Sequence, residues 1–326
     1  MSNRTSLIRR RVLVLAAALL PLAATAQQAY PSRPVSVVVP YSPGGTTDII
    51  ARLTAQYIGA SMNRTFVVEN KAGGSGTIAM GLVAKAAPDG YTLLSNEMTQ
   101  TVVPGLFPRL PFDPIKDLAA VSIIAEAPYV LVVNSKVPVT TLAELVSYAK
   151  ANPGKLNFAS GGSGSGPHIA GELLKSVAGI SMTHVAYRGS GPAVQDLLSG
   201  QVEVLITAAP TVSQHMGSGR IRALAVAHKQ RITLLPNVPT AAEAGFPGFV
   251  IANWFGLAAP SGTPPAIVNQ LHAEVLKMLA KPEVREKLIA AGAEAVGMGP
   301  ADAARHIEAE ARRWSELIAK AGIRPE

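Results

Sequence analysis

The sequence predicts an α/β protein of two domains built on mainly parallel sheets, and three observations carry that prediction. At 326 residues the chain exceeds the usual length of a single domain. Short β-branched runs at Val35 to Val39, Thr65 to Val68, Val130 to Val133 and Val202 to Ile206 alternate with segments of helical periodicity. The joints between them are short and rich in glycine and proline, as connections in α/β units are.

The first segment has the form of an export signal. Arg4, Arg9, Arg10 and Arg11 precede an apolar run from Val12 to Ala24, and Ala24-Thr-Ala26 supplies small residues for cleavage after Ala26. Export to the periplasm is therefore expected, with a retained N-terminal anchor as the alternative. The run is short for a membrane span, which needs about 20 apolar residues, and no later segment reaches that length without charge or glycine. Four of the 29 basic residues lie in this segment, so its removal lowers the formal excess from +8 to +4.

The next segment, Val35-Ser-Val-Val-Val-Pro-Tyr-Ser-Pro-Gly-Gly-Thr-Thr-Asp48, runs from an apolar strand through a glycine turn into an amphipathic helix. The first N–H groups of a helix have no partner within it and carry the positive end of its dipole. Such a junction attracts carboxylate or phosphate, so Ser42 to Asp48 is either an anion site or a turn that only reverses the chain. Asp48, at the helix start, is expected to stabilise the turn rather than meet an anion.

Later helices announce their ends. Thr141 and Glu144 form a capping box for a helix to about Ala151, where Asn152-Pro-Gly154 stops it. Thr263 is read as the N-cap of a helix started by Pro264 and Pro265, Pro282 starts the next, and Pro300 starts the last. In that last helix Ala304, Ile307, Ala311, Trp314 and Ile318 line one stripe, while Arg305, Glu308, Arg312 and Glu316 face water.

Two further junctions share the chemistry of the first. Asn157-Phe-Ala-Ser-Gly-Gly-Ser-Gly-Ser-Gly-Pro-His168 passes from a strand through glycines into a helix with Pro167 in its first turn, and Ser163 and Ser165 add hydroxyl donors. At Val185 to Val194, Ser190 can cap a helix begun by Pro192. In open α/β sheets ligands sit beyond the carboxyl ends of the strands, where all three turns would converge.

Composition narrows the alternatives. With no cysteine there is no disulfide, lipoprotein anchor or thiolate nucleophile. No basic run interleaves with aromatics, so nucleic acid is not an expected partner. The six histidines lack metal-ligand spacing, and neither Ser163 nor Ser165 satisfies Gly-x-Ser-x-Gly, so no metal, cofactor or catalytic residue is assigned. Gly74-Ser-Gly-Thr-Ile-Ala79 fits a dinucleotide fingerprint but lacks the acid about 20 residues on. An exported hydrolase ranks below a binding protein on these grounds.

Many short motifs in one order resemble the Bug, or TctC-like, extracytoplasmic solute-binding proteins of tripartite tricarboxylate transport systems. They include Tyr30-Pro-Ser-Arg-Pro34, Pro43-Gly-Gly-Thr-Thr-Asp48, Lys85-Ala-Ala-Pro-Asp-Gly-Tyr-Thr-Leu93, Leu110-Pro-Phe-Asp-Pro114, Tyr187-Arg-Gly-Ser190 and Trp254-Phe-Gly-Leu-Ala-Ala-Pro260. The resemblance implies a type II periplasmic binding protein fold, two α/β domains joined by two crossover strands with a ligand cleft between them. After a signal peptide at 1–26, domain 1 would comprise 27–128 plus 252–326 and domain 2 would comprise 129–251, with crossings near Tyr129 and Ile251.

The implied function is periplasmic capture of a small carboxylate (di- or tricarboxylate, amino acid or aromatic acid) for the membrane permease subunits of a tripartite tricarboxylate transporter. Docking on a periplasmic sensor domain of a signalling system is the alternative, and a monomer is expected. The resemblance places ligand contacts at Tyr41, Ser42, Gly44, Gly45, Thr46, Thr47 and Asp48 on one jaw. On the other it places Ser160, Ser163, Gly164, Ser165, His168, Tyr187 and Arg188. His168 either donates to a carboxylate or caps and packs; Arg188 either grips one bidentately or forms a structural ion pair.

Ligand identity is expected to depend on Thr99, Gln100, Arg188 and Thr207. The last stands where the family pattern often has aspartate, in Glu203-Val-Leu-Ile-Thr207. Glu97, in Ser95-Asn-Glu-Met-Thr-Gln100, is read as an exposed loop carboxylate. Facing the ligand, it would prefer an ammonium group.

Overall fold

The computed structural model describes residues 30–187 and 189–324; the signal segment, its cleavage site and Arg188 lie outside the described residues. Contacts divide the chain after Ser32, and every element below belongs to the unit that starts at Arg33. The first third alternates as the β-branched runs predict: β1 (Val35–Val39), α1 (Thr46–Met62), β2 (Phe66–Asn70), α2 (Thr77–Ala84), β3 (Thr92–Glu97) and α3 (Thr99–Leu106). Next come β4 (Leu118–Asn134), α4 (Leu142–Ala151), β5 (Asn157–Ser160), α5 (Gly166–Ala178), β6 (Thr183–Ala186), α6 (Ser190–Ser199), β7 (Val204–Ala208), α7 (Ala209–Ser213) and β8 (Ile221–Val226). The chain ends with β9 (Ala252–Pro260), α8 (Pro265–Leu279), α9 (Pro282–Ala290), β10 (Glu294–Met298) and α10 (Pro300–Ala321).

The strand β4 organises the sheet. Its 17 residues hold two β-branched runs, Val121 to Ile124 and Val130 to Val133, of which only the second is read as strand from the sequence, because alanines flank the first and Pro128 separates the two. Leu118 to Pro128 pairs with β9, and from Tyr129 onward the same strand pairs with β7 on one side and β8 on the other. The change of partner falls at Pro128, which has no N–H to donate to a ladder.

Around the first half of β4 the order is β2-β1-β3-β9-β4, with β10 on its far edge. Around the second half it is β6-β5-β7-β4-β8, the same permutation. Pairings β1–β2, β1–β3, β5–β6 and β5–β7 are parallel. Every pairing made by β4 or β9 is antiparallel, so the sheet is mixed rather than mainly parallel. Those two strands run against their neighbours because they pass between the two repeats instead of following a βαβ crossover.

Capping follows the sequence with local corrections. Glu144 N–H donates to Thr141 Oγ1 at 3.1 Å, while the Glu144 carboxylate accepts from Thr140 N–H instead of closing the box on Thr141. Pro264, extended at ψ 132°, is the N-cap of α8, and the Thr263 hydroxyl donates backward to Pro260 O. Ser190 is the first residue of α6 rather than its cap. In α10 the buried stripe is Ala303, Ile307, Ala311, Trp314, Leu317 and Ile318, one position from the expected Ala304. This helix packs on α3, β4 and α5, and so backs both halves of the sheet.

Candidate functional site

Four strand-to-helix turns converge on a cavity of about 440 Å³. They follow β1 and β3 in one repeat and β5 and β7 in the other, so these four have counterparts at the same places in the strand order, while Ser75, after β2, adds to the wall from the first repeat alone. The carboxyl ends of strands are where α/β sheets open to ligands.

The turn after β1 supplies Tyr41, Thr46 and Thr47 to the cavity wall. Gly44 adopts φ +93°, a conformation suited to glycine, and α1 begins at Thr46 without a side-chain cap. The first-turn N–H groups of Thr46 and Thr47 therefore have no helical acceptor. Asp48 is buried behind the turn: it accepts from Gly44 N–H at 2.9 Å, from Asn70 at 2.8 Å and from Arg52 at 3.0 Å. Burial alone would raise its carboxyl, but these bonds hold it at about 2. Its expected part in stabilising the turn is what the geometry has; Ser42, Gly44 and Gly45 likewise shape the turn outside the cavity wall.

The opposing turn supplies Ser163, Gly164, Ser165 and Gly166. Ser165 caps α5 by accepting from His168 N–H at 3.4 Å. His168 does not reach the cavity: it is buried and its Nδ1 accepts from Gly164 N–H at 3.0 Å. Its ring stacks on His184 with centroids 3.6 Å apart, and burial with the neighbouring His184 and Lys175 pushes its pKa down to about 3. It is a neutral prop under the glycine loop, not a cation for the ligand.

Ser160 is turned the same way, bonded to His184 Nε2 at 2.7 Å. In the third predicted junction Tyr187 also supports rather than lines. Tyr187 N–H donates to Ser160 O at 3.0 Å, and its hydroxyl bonds Asp196, which together with burial pushes it up to about 12.

The crossover strands form the floor. Because strand side chains alternate, Ala127 and Tyr129 of β4 and Asn253 and Phe255 of β9 face this cavity. Glu126 and Trp254 face the other way, into a separate space of about 280 Å³. A Cβ on Gly166 would overlap the Tyr129 hydroxyl, so the start of α5 closes down on that ring only as glycine.

Glu97 overturns its expected exposure. Strand β3 extends to it, pairs it with Phe255 and points it into the cavity, where it is 5% exposed. The Tyr41 hydroxyl and the Thr99 N–H both donate to its Oε1, the latter at 3.1 Å. Burial raises its carboxyl, opposed by bonds from Thr99, Tyr41 and Asn253.

Thr99 lines the cavity, whereas Gln100 turns into the protein, where it bonds Asn96 and Pro114 O. Thr207 is buried within β7 opposite Val130, away from the cavity wall. Asn253, Phe255 and Ser75 carry no local sequence signal for this site, and Tyr129 is marked in the sequence only as a crossing; the face each occupies follows from strand register and from the φ of +52° at Ser75.

The family model described as the tripartite tricarboxylate transporter family receptor, TctC, matches residues 50–323. The chain belongs to the TctC family. Among relatives of this TctC chain, BugT of Bordetella pertussis is 39% identical, over 90% of this chain and 91% of its own. A Rhodopseudomonas palustris protein solved with adipate superposes with a TM-score of 0.77 at 39% identity, covering 91% of this chain and all of that one. MatC from the same organism, solved with bound malate, gives 0.73 at 35% identity over 89% and 100% of the two chains. The periplasmic binding protein BugD gives 0.73 at 33% over 91% and 100%.

Proposed function

We propose that this TctC-family protein is a periplasmic receptor that captures a small carboxylate in the cavity between the two repeats and presents it to the membrane subunits of a tripartite tricarboxylate transporter. One observation carries the reading. Two helix starts, α1 and α5, meet at a cavity whose described lining includes no lysine, arginine or histidine. Backbone N–H groups and the hydroxyls of Thr46, Thr47 and Ser163 are then the donors for an acid group, each bond to a carboxylate contributing about 1.5–3 kcal/mol, while the Ser165 hydroxyl donates to Gly162 O within the loop.

The order of the strands supports two lobes, 33–128 with 252–324 and 129–251, hinged at Pro128 and Ile251, which close on the ligand and exclude water. The adipate and malate bound in relatives support a dicarboxylate-sized ligand. The leader and the family's export support periplasmic location, and among described residues no helix is long and apolar enough to cross a membrane. The solute-binding role of the family and of the neighbour BugD supports binding without turnover.

Native mass spectrometry of the protein prepared from the periplasm without refolding tests this. An anionic small molecule released on denaturation is expected, with calorimetry giving a Kd for the same acid. A protein that carries none and binds no mono-, di- or tricarboxylate would refute the reading. Deletion of the gene is expected to abolish uptake of the identified acid, and uptake left intact would remove the transport role.

A further inference from the structure

Among the described residues lining the cavity, one carries a carboxyl. Glu97 is buried at the end of β3, and the groups that reach it are hydrogen-bond donors: the Tyr41 hydroxyl, the Thr99 N–H and the side chains of Thr99 and Asn253. Donors of this kind suit the ionised, acceptor-only form of a carboxyl. Yet no described residue lining the cavity is cationic, and none of its hydrogen-bond partners carries a charge to neutralise it. An unpaired buried charge is costly, and a plain dicarboxylate placed here would add a second negative group beside the first.

The two walls therefore differ in polarity. The start of α5 and the uncapped start of α1 present N–H groups and hydroxyls, whereas the corner formed by Glu97, Tyr41, Thr99 and Asn253 presents an acceptor with its bonds already directed. We propose that Glu97 anchors a cationic amino group of the ligand, so that the cavity selects acids bearing an ammonium centre over the matching plain acids. This rests on the carboxylate reading and narrows it to a zwitterion: the carboxylate lies against the helix starts and the ammonium against Glu97. An ammonium–carboxylate contact shielded from water is short and strong, and it supplies the counter-charge that the described lining residues do not.

Calorimetry with matched pairs tests the assignment: four-, five- and six-carbon dicarboxylates against their 2-amino derivatives, on the wild type and on Glu97→Gln. The wild type is expected to bind at least one amino acid of the panel about tenfold or more tightly than its plain partner, a gap of about 1.4 kcal/mol. Glu97→Gln keeps the shape and removes the charge, and is expected to shrink that gap to threefold or less or to reverse it. Thermal melting monitors folding of the variant, and the wild-type comparison decides the question alone should the variant not fold. Equal binding of plain and amino-substituted acids by the wild type overturns this inference and leaves the carboxylate receptor standing. Binding of no acid in the panel overturns both.

Discussion

Acidification should reveal His168 as a structural group. Its Nδ1 must stay unprotonated to accept from Gly164 N–H, and burial beside His184 and near Lys175 holds its pKa at about 3 in the folded protein. An unfolded histidine titrates near 6.5. Between these values the unfolded chain binds a proton that the folded chain refuses, so the contribution is complete above about pH 6.5 and is lost as pH falls toward 3. At pH 5 the unfolded pKa is about 1.5 units above the solution pH, and at about 1.36 kcal/mol per unit the loss is about 2 kcal/mol.

Urea unfolding of wild type and His168→Gln at pH 7, 6 and 5 measures this directly. The glutamine amide oxygen can still accept from Gly164 without titrating. Wild type is expected to lose about 2 kcal/mol more than the variant over that range, with the difference opening below pH 6.5. Parallel curves for the two proteins would refute the argument, since they would mean that His168 protonates as readily folded as unfolded.

Three other perturbations follow from the geometry. Gly166→Ala drives a methyl into the Tyr129 hydroxyl and should cost about 1–3 kcal/mol in thermal unfolding, with ligand affinity falling as the start of α5 shifts; adding Tyr129→Phe should recover part of it, and no recovery would place the strain elsewhere. Asp48→Asn should lower stability at neutral pH. Because the folded carboxyl sits near 2 against about 3.9 unfolded, the difference from wild type should be full above pH 4 and fade as pH falls toward 2, read by chemical unfolding across that window. Thr141→Ala removes the acceptor for Glu144 N–H and should cost about 1 kcal/mol by urea denaturation with binding unchanged, because α4 lies off the cavity.

Much of the scaffold is legible in the sequence. The β-branched runs marked β1, β2 and β7, the Thr141 cap and Pro300 marked helix starts, and the stripe of α10 marked a buried face, because each is a signal carried by neighbouring residues. The turns before α1 and α5 were legible for the same reason: glycine, proline and hydroxyl residues in a row describe their own backbone. What escaped was everything set by pairing. Only four residues of the 17 in β4 are read as strand, because Val121 to Ile124 lies between alanines and is joined to Val130 to Val133 only by the pairing with β9 and β10.

The same division runs through the site. Sequence alone identified strand-to-helix turns suited to an acid group, and the helix N-terminus explains why: its donors belong to the backbone and need no distant partner. Tertiary structure decided which side chains share the cavity with them. The register of β3 against β9 turned Glu97 inward beside Phe255, and the packing of α5 over β5 turned His168 and Ser160 away to brace the loop. A side chain's face depends on what its strand pairs with and what its helix packs on, and neither is written in the residues adjacent to it.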